Sequence, residues 1–245
     1  MRTYGLIGYP LSHSFSKQFF DEKFEKEGLI DCFFDNYSIK SIEDLLRKVI
    51  PGNLSLKGLA VTIPYKQAVL PFLHNADGIP PGLNACNCIR IIDGKLFGFN
   101  TDYIGFRESF RVGIKHHHTS ALVLGNGGAT AAVVYALRQL GISYSIVSRQ
   151  LHNGAQYVYE DLTTEIIAKT QIIINTTPLG MYPAVDSCPP IQYNSITAEH
   201  YLYDLVYNPD ETLFLNKGKK QGASIKNGSD MLVIQAEENW KIWNS

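Results

Sequence analysis

The sequence predicts an α/β fold with a parallel, doubly wound sheet in its second half, and three observations carry this. From residue 120 onward, short apolar strands alternate with helical or irregular stretches. A glycine-rich turn, Gly125-Asn126-Gly127-Gly128, joins one such strand directly to an Ala-rich helix. The length of 245 residues allows one large domain or two modest ones.

The first half reads element by element. Residues 2–8 (RTYGLIG) form a strand that runs into the turn-rich Gly8-Tyr9-Pro10. Phe15, Phe19, Phe20 and Phe24 then recur at helical spacing. A second strand covers Cys32–Ser38. Ile42, Leu45, Leu46 and Val49 mark a helix expected to stop at Pro51-Gly52. Residues 58–63 form a third strand, ended by Pro64. Cys88–Ile92 and Lys95–Phe99 form a hairpin around Asp93-Gly94, a strong two-residue turn.

The pattern then changes. Ser120–Leu124 (SALVL) is almost wholly apolar, as expected of a strand covered on both faces. After the glycine turn comes a helix with Val133, Ala136, Leu137 and Leu140 on one face, closed by Gly141. Residues 142–148, 171–175 and 201–206 are further strands. The last helix starts at Ser229, a candidate N-cap, with Leu232, Ala236, Trp240 and Trp243 on one face.

Composition narrows the function. Apolar residues make up 45% and charged residues 18%, so there is ample surface to bury and disorder is not expected. The net charge is −1, with no basic excess to suggest nucleic-acid or anionic-membrane binding. No apolar run approaches the ~18 residues that span a bilayer. The N-terminus reads as a strand and loop, not a signal peptide. Four cysteines, Cys32, Cys86, Cys88 and Cys188, give no disulfide framework or zinc spacing, and read as reduced thiols in a cytoplasmic protein. The run His116-His117-His118 is expected in an exposed loop, since adjacent side chains rarely converge on one ion. No metal site is expected.

Two groups of residues carry chemistry. Gly125, Asn126, Gly127, Gly128, Ala129 and Thr130 form a turn where bare backbone and a helix N-terminus suit a pyrophosphate. At the end of the next strand stand Ser148 and Arg149, with no acidic residue to bind ribose hydroxyls. An Arg there pairs with a 2′-phosphate and favours NADP over NAD. In the first half, hydroxyls, amides, one Lys and one Asp fall where strands end. These are Ser14 and Ser16, Thr62 and Lys66, Asn87, and Asp102. They suit a small ligand bearing hydroxyls and a carboxylate.

Eight segments in order, GYPLSHSFS (8–16), VTIPYK (61–66), Asn87, GFNTD (98–102), GNGGAT (125–130), INTTPLGM (174–181), YDLVYNP (203–209) and NGSDMLVIQA (227–236), closely resemble the shikimate dehydrogenases over nearly the whole chain. The resemblance implies NADPH-dependent, reversible reduction of 3-dehydroshikimate to shikimate, on the route to chorismate and the aromatic amino acids. It implies an N-terminal α/β substrate domain completed by the C-terminal helix (1–102 with 228–245) and a Rossmann-type NADP domain (103–227), with the active site between them. Lys66 and Asp102 match the catalytic pair. Ser14 and Ser16 match a carboxylate-binding pair. Thr62, Lys66, Asn87, Asp102 and Gln235 match positions that touch ring hydroxyls and carbonyl, and Tyr207 one near the carboxylate. Asn175, Thr176, Thr177, Leu205 and Gly228 join the glycine turn, Ser148 and Arg149 on the cofactor side. His13 is read as orienting its loop. The implied partners are small molecules only, in a monomer or homodimer. Three departures stand out: Ala60 where many relatives carry Asn, Cys88 after Asn87, and Ser148 and Gln150 beside the retained Arg149.

A Lys–Asp pair suits this chemistry. A ketone that receives hydride becomes an alkoxide, which needs a proton and a positive charge nearby. A quinate/shikimate dehydrogenase using NAD would favour an acidic residue at 148 or 150, and a non-catalytic cofactor sensor would show a damaged Lys–Asp pair. This sequence has neither feature.

Overall fold

The computed structural model describes residues 1–11, 14–152 and 154–245. Ser12, His13 and Asn153 lie outside the described residues, and with them the reading of His13. Two compact units emerge: Met1–Asp102 with Gln235–Ser245, and Tyr103–Ile234.

The first unit is built on a six-stranded mixed sheet. Its elements are β1 (Arg2–Gly8), α1 (Phe15–Glu27), β2 (Cys32–Ser38), a helical stretch Leu45–Val49 that continues as α2 (Ile50–Gly52), β3 (Leu56–Val61), α3 (Tyr65–Ala68), β4 (Asn75–Gly78), β5 (Cys88–Ile92) and β6 (Lys95–Phe99). The strand order is β2-β1-β3-β5-β6-β4. β1 pairs in parallel with β2 and β3, whereas β5 is antiparallel to both β3 and β6. The period of two decides which side chains go where. Leu59 and Val61 of β3 join one core with Ile7, Ile89 and Ile91. Ala60 joins the opposite core with Tyr4, Phe20, Phe34, Cys88 and Trp243.

The second unit begins within α4 (Asp102–Arg111). It continues through β7 (Ser120–Leu124), α5 (Gly128–Gln139), β8 (Ser143–Ser148), β9 (Tyr157–Val158), α6 (Thr164–Lys169), β10 (Ile172–Asn175), β11 (Tyr201–Asp204), α7 (Leu213–Lys220) and β12 (Ser224–Lys226). All six strands are parallel, in the order β9-β8-β7-β10-β11-β12. That is the doubly wound order, with its switch point between β7 and β10. Both faces are buried. Val123, Ile174 and Tyr203 face one core, and Leu122, Ile173 and Leu202 face the other. The last helix, α8 (Ser229–Trp243), starts in this unit and ends in the first. Residues 228–234, grouped above with the first domain, therefore lie with the second unit.

The helix after Ile42 runs through Gly52 and the chain leaves it at Asn53, so it ends at Pro51-Gly52 as expected. Two other readings differ. Ser229 is the first residue of α8, not its N-cap. The Gly228 carbonyl accepts from Leu232 N–H, and Asn227 Oδ1 accepts from Ser229. His118 is buried, not exposed. Its Nδ1 accepts from Lys115 N–H at 3.0 Å, its Nε2 lies 3.3 Å from the Glu199 carbonyl, and its ring stacks on Tyr201. Those bonds make burial tolerable. Burial also holds His118 below the usual histidine range.

Candidate active site

The cluster in the first unit starts where β3 ends. Thr62 N–H still donates to Ile7 O at 2.9 Å, and Thr62 O then accepts from Tyr65 N–H at 2.9 Å to start α3. Tyr65 is buried, with its hydroxyl donating to Ile39 O at 2.5 Å. The next helical position points about 100° away, which turns Lys66 out of that core. Lys66 O is pinned by Cys86 N–H at 2.7 Å. Lys66 Nζ donates to Asp102 Oδ2 at 2.6 Å, with the two side chains 22% and 11% exposed. Asp102 stands in the first turn of α4, where a helix end favours a carboxylate.

Asn87 holds the other carboxylate oxygen. Its Nδ2 donates to Asp102 Oδ1 and to Thr101 Oγ1, both at 2.9 Å, while its Oδ1 accepts from Thr101 N–H at 2.6 Å. Gln235 Oε1 lies 3.5 Å from Asn87 Nδ2 and 3.3 Å from Asn239 Nδ2. Lys66, Asn87, Asp102 and Gln235 therefore meet in one network, joined by Thr101 and Asn239. Thr101 entered the sequence reading only as part of GFNTD, with no role of its own, and Asn239 did not enter it. The available signal was Asn239 one helical turn after Gln235.

The remaining substrate-side candidates lie elsewhere. Ser14 is the N-cap of α1, accepting from Lys17 N–H at 3.1 Å, and Ser16 lies in the first helical turn. Tyr207 belongs to the second unit and is exposed. Cys86 and Cys88 are buried, and burial pushes the Cys86 thiol up to about 12 and raises Cys88 as well. Both are inert at neutral pH.

The second unit carries a cavity of about 960 Å³ at the C-terminal ends of β7, β8 and β10. Gly125 and Gly127, Ser148 and Arg149, and Thr176 and Thr177 line it. Gly125 has φ +113°, and a Cβ there would meet Thr176 Oγ1 at 2.6 Å. Gly127 and Gly128 are different. A Cβ at either would meet no protein atom within 4 Å, so packing does not demand glycine at these positions. Bare backbone at the start of the twelve-residue α5 fits close approach by a dinucleotide pyrophosphate. Thr130 turns inward, accepting from Gly127 N–H at 3.1 Å and meeting Thr176 Oγ1 at 2.9 Å, and Ala129 lies in the same turn.

Asn126 Nδ2 donates to His152 O at 2.8 Å and ties the loop after β8 to the glycine turn. Arg149 is exposed on that loop, and Ser148 is buried beneath it. Tyr159 also lines the cavity. Burial pushes its phenol up to about 12, with Arg149 opposing the shift.

Two cofactor-side candidates are fully engaged in the scaffold. Asn175 is buried, its Nδ2 donating to Asp204 Oδ1 at 2.9 Å and its Oδ1 accepting from Thr177 N–H at 3.0 Å. A Cβ on Gly228 would overlap the Leu205 carbonyl, so backbone contact accounts for that glycine. Among the described residues, no group of three or more His, Cys, Asp or Glu is placed to hold a metal ion. No helix among them is long and apolar enough to cross a membrane.

The chain is similar to known proteins over nearly its whole length. Residues 6–89 match the family model for the shikimate dehydrogenase substrate binding domain. A shikimate dehydrogenase (NADP(+)) from Clostridium beijerinckii is 38% identical, over 99% of this chain and 92% of its own. The crystal structure of shikimate dehydrogenase from Aquifex aeolicus has a TM-score of 0.86 at 33% identity, covering 100% of this chain and 92% of that one. The shikimate 5-dehydrogenase of Thermus thermophilus, solved with NADP(H) and shikimate, has a TM-score of 0.86 at 27% identity, covering 99% and 93%.

Proposed function

The chain belongs to the shikimate dehydrogenase family, and from that premise we propose that Lys66 and Asp102 carry the proton chemistry of its reaction. The protein is an NADP-dependent oxidoreductase acting on a CH–OH group, interconverting 3-dehydroshikimate and shikimate. The bound nicotinamide supplies the hydride in reduction and takes it in oxidation.

The observation that carries the proton assignment is the 2.6 Å contact between Lys66 Nζ and Asp102 Oδ2. In reduction, the Lys66 ammonium donates a proton to the oxygen that becomes a hydroxyl, and its charge stabilises the developing alkoxide. In oxidation, the neutral amine takes that proton back. Asp102 receives a hydrogen bond on each oxygen, from Lys66 and from Asn87. This supports a fixed carboxylate that orients Lys66 and does not itself carry the proton. Ser14 and Ser16 hold the substrate carboxylate at the start of α1, where backbone N–H groups favour an anion. Thr62, Gln235 and Tyr207 complete the substrate contacts, and Arg149 with the glycine turn holds the nucleotide. The setting is cytoplasmic, with small-molecule partners only, in a monomer or homodimer.

The test is an initial-rate assay of shikimate oxidation with NADP+ on wild type and Lys66→Ala. A fall in kcat of ~10²-fold or more, with a smaller change in KM, is expected. A folded Lys66→Ala protein with near-normal kcat removes Lys66 from this role.

A further inference from the structure

We infer that Asn239 is a positioning residue that orients Gln235 and anchors the Thr101 hydroxyl against the Asn87–Asp102 arm of the proton pair. The inference rests on the function proposed above and deepens it. One group in the network cannot be turned round: the backbone N–H of Thr101. It donates to Asn87 Oδ1 at 2.6 Å. Asn87 must then face Asp102 Oδ1 and Thr101 Oγ1 with its NH₂ end, each 2.9 Å away. The Thr101 hydroxyl accepts from Asn87 Nδ2 and has two acceptors in reach of its own hydrogen, Asn87 Oδ1 at 3.3 Å and Asn239 Oδ1 at 2.7 Å, of which the shorter contact is to Asn239.

Asn239 is thereby oriented with its oxygen toward Thr101. Its Nδ2 faces Gln235 Oε1 at 3.3 Å. Gln235 is oriented in turn. Its carbonyl oxygen faces Asn239 and Asn87, and its donor end points away from both. A single side chain therefore joins two branches, one leading through Thr101 and Asn87 to Asp102 and the other to Gln235.

Burial adds weight. Asn239 is 1% exposed, on a helix face where Ala236 and Trp243 are also buried. An amide in such a place is unfavourable unless its bonds are made. With both ends bonded, it passes the orientation set by the Thr101 N–H on to Gln235. Asn239 bonds to Thr101 and Gln235, so its effect passes through those side chains to the proton pair and the substrate contacts.

Asn239→Leu removes both bonds at nearly constant volume. Loss of one hydrogen bond on each branch is expected to lower kcat and to raise KM for shikimate, each by about five-fold, with KM for NADP+ held within about two-fold. Asn239→Asp keeps the acceptor for Thr101 and loses the donor to Gln235. It is expected to raise KM for shikimate as much as Asn239→Leu and to lower kcat less. Melting curves show which variants fold, and Asn239→Asp decides alone if Asn239→Leu does not. Unchanged kcat and KM in a folded variant, beside a lowered melting temperature, would reduce Asn239 to a core amide. A wild type that turns over no shikimate with either nucleotide overturns the functional reading, and the positioning role with it.

Discussion

In the function proposed above, nucleotide choice turns on Arg149. It is the basic side chain at the end of β8, exposed on the rim of the cavity, with Ser148 buried beneath it. Arg149→Ala is expected to weaken NADP+ binding by roughly 1.5–3 kcal/mol, the scale of a hydrogen bond to a charged group, and to leave NAD+ nearly unchanged. Titration of each nucleotide measures the difference. Equal losses for both would mean that Arg149 stacks on adenine and does not read the phosphate. The two serines of α1 separate in the same way. Ser14 is the cap, since its Oγ accepts from Lys17 N–H. Ser14→Ala should therefore cost about 1 kcal/mol of stability in addition to any effect on substrate. Ser16 is not the cap, so Ser16→Ala should raise KM for shikimate while the melting temperature holds. A drop in melting temperature for Ser16→Ala with unchanged KM would reverse the two roles.

At the scale of elements, α8 is seated by a glycine in β3. A Cβ on Gly58 would overlap the indole of Trp243. That ring stacks on Tyr4 at a centroid distance of 5.2 Å and packs against Phe20 and Phe34. Gly58→Ala is therefore expected to destabilise the first unit by about 1–3 kcal/mol, the range of an overpacked core. In a Trp243→Ala background, where the ring is gone, the same substitution should cost much less; equal costs in both backgrounds would refute the fit. Strands buried on both faces were legible in the sequence because their side chains serve two cores, so apolar runs such as SALVL and IIIN mark them. The edge strands β4 and β9 were not. β4 reads Asn-Ala-Asp-Gly and β9 has two residues, so each is defined by its neighbour's hydrogen bonds and not by its own pattern. The site divides along the same line. Lys66 and Asp102 sit in recognisable segments, and the strand–turn–helix around Gly125 announces itself. Asn239, between Glu238 and Trp240, looks like part of a solvent face. Its role follows from a hydrogen bond to Thr101 across 138 positions of sequence. His118 was misplaced for a related reason, since its partners Glu199 and Tyr201 are remote in the chain.

At the scale of the whole molecule, buried titratable groups make stability depend on pH, and Asp204 at the end of β11 has the clearest sign. It is fully buried and accepts from Thr212 Oγ1 at 2.6 Å, Asn175 Nδ2 at 2.9 Å and Val206 N–H at 3.0 Å. It thereby ties the N-cap of α7 to the turn after β10 that lines the cavity. Burial outweighs those three donors and pushes the carboxyl up to about 6 from 3.8. A carboxyl raised on folding favours the folded state most below its unfolded value, and that contribution is lost as pH rises through the folded value. The window therefore runs from about 4 to about 6, and the full loss is roughly 3 kcal/mol. His118 works in the opposite direction. Burial lowers it, so its contribution is present at neutral pH and lost on acidification. Comparing wild type with Asp204→Asn cancels the histidine and isolates the carboxyl. Asp204→Asn removes the ionisation and keeps the shape. Relative to wild type it should gain stability as pH rises from about 4 to about 7, by a difference approaching 3 kcal/mol. Calorimetric melts of both proteins at the two pH values measure that difference. A stability gap that stays constant would show that the three donors cancel burial, and one that moves toward wild type as pH rises would show that they outweigh it; either result overturns the raised carboxyl.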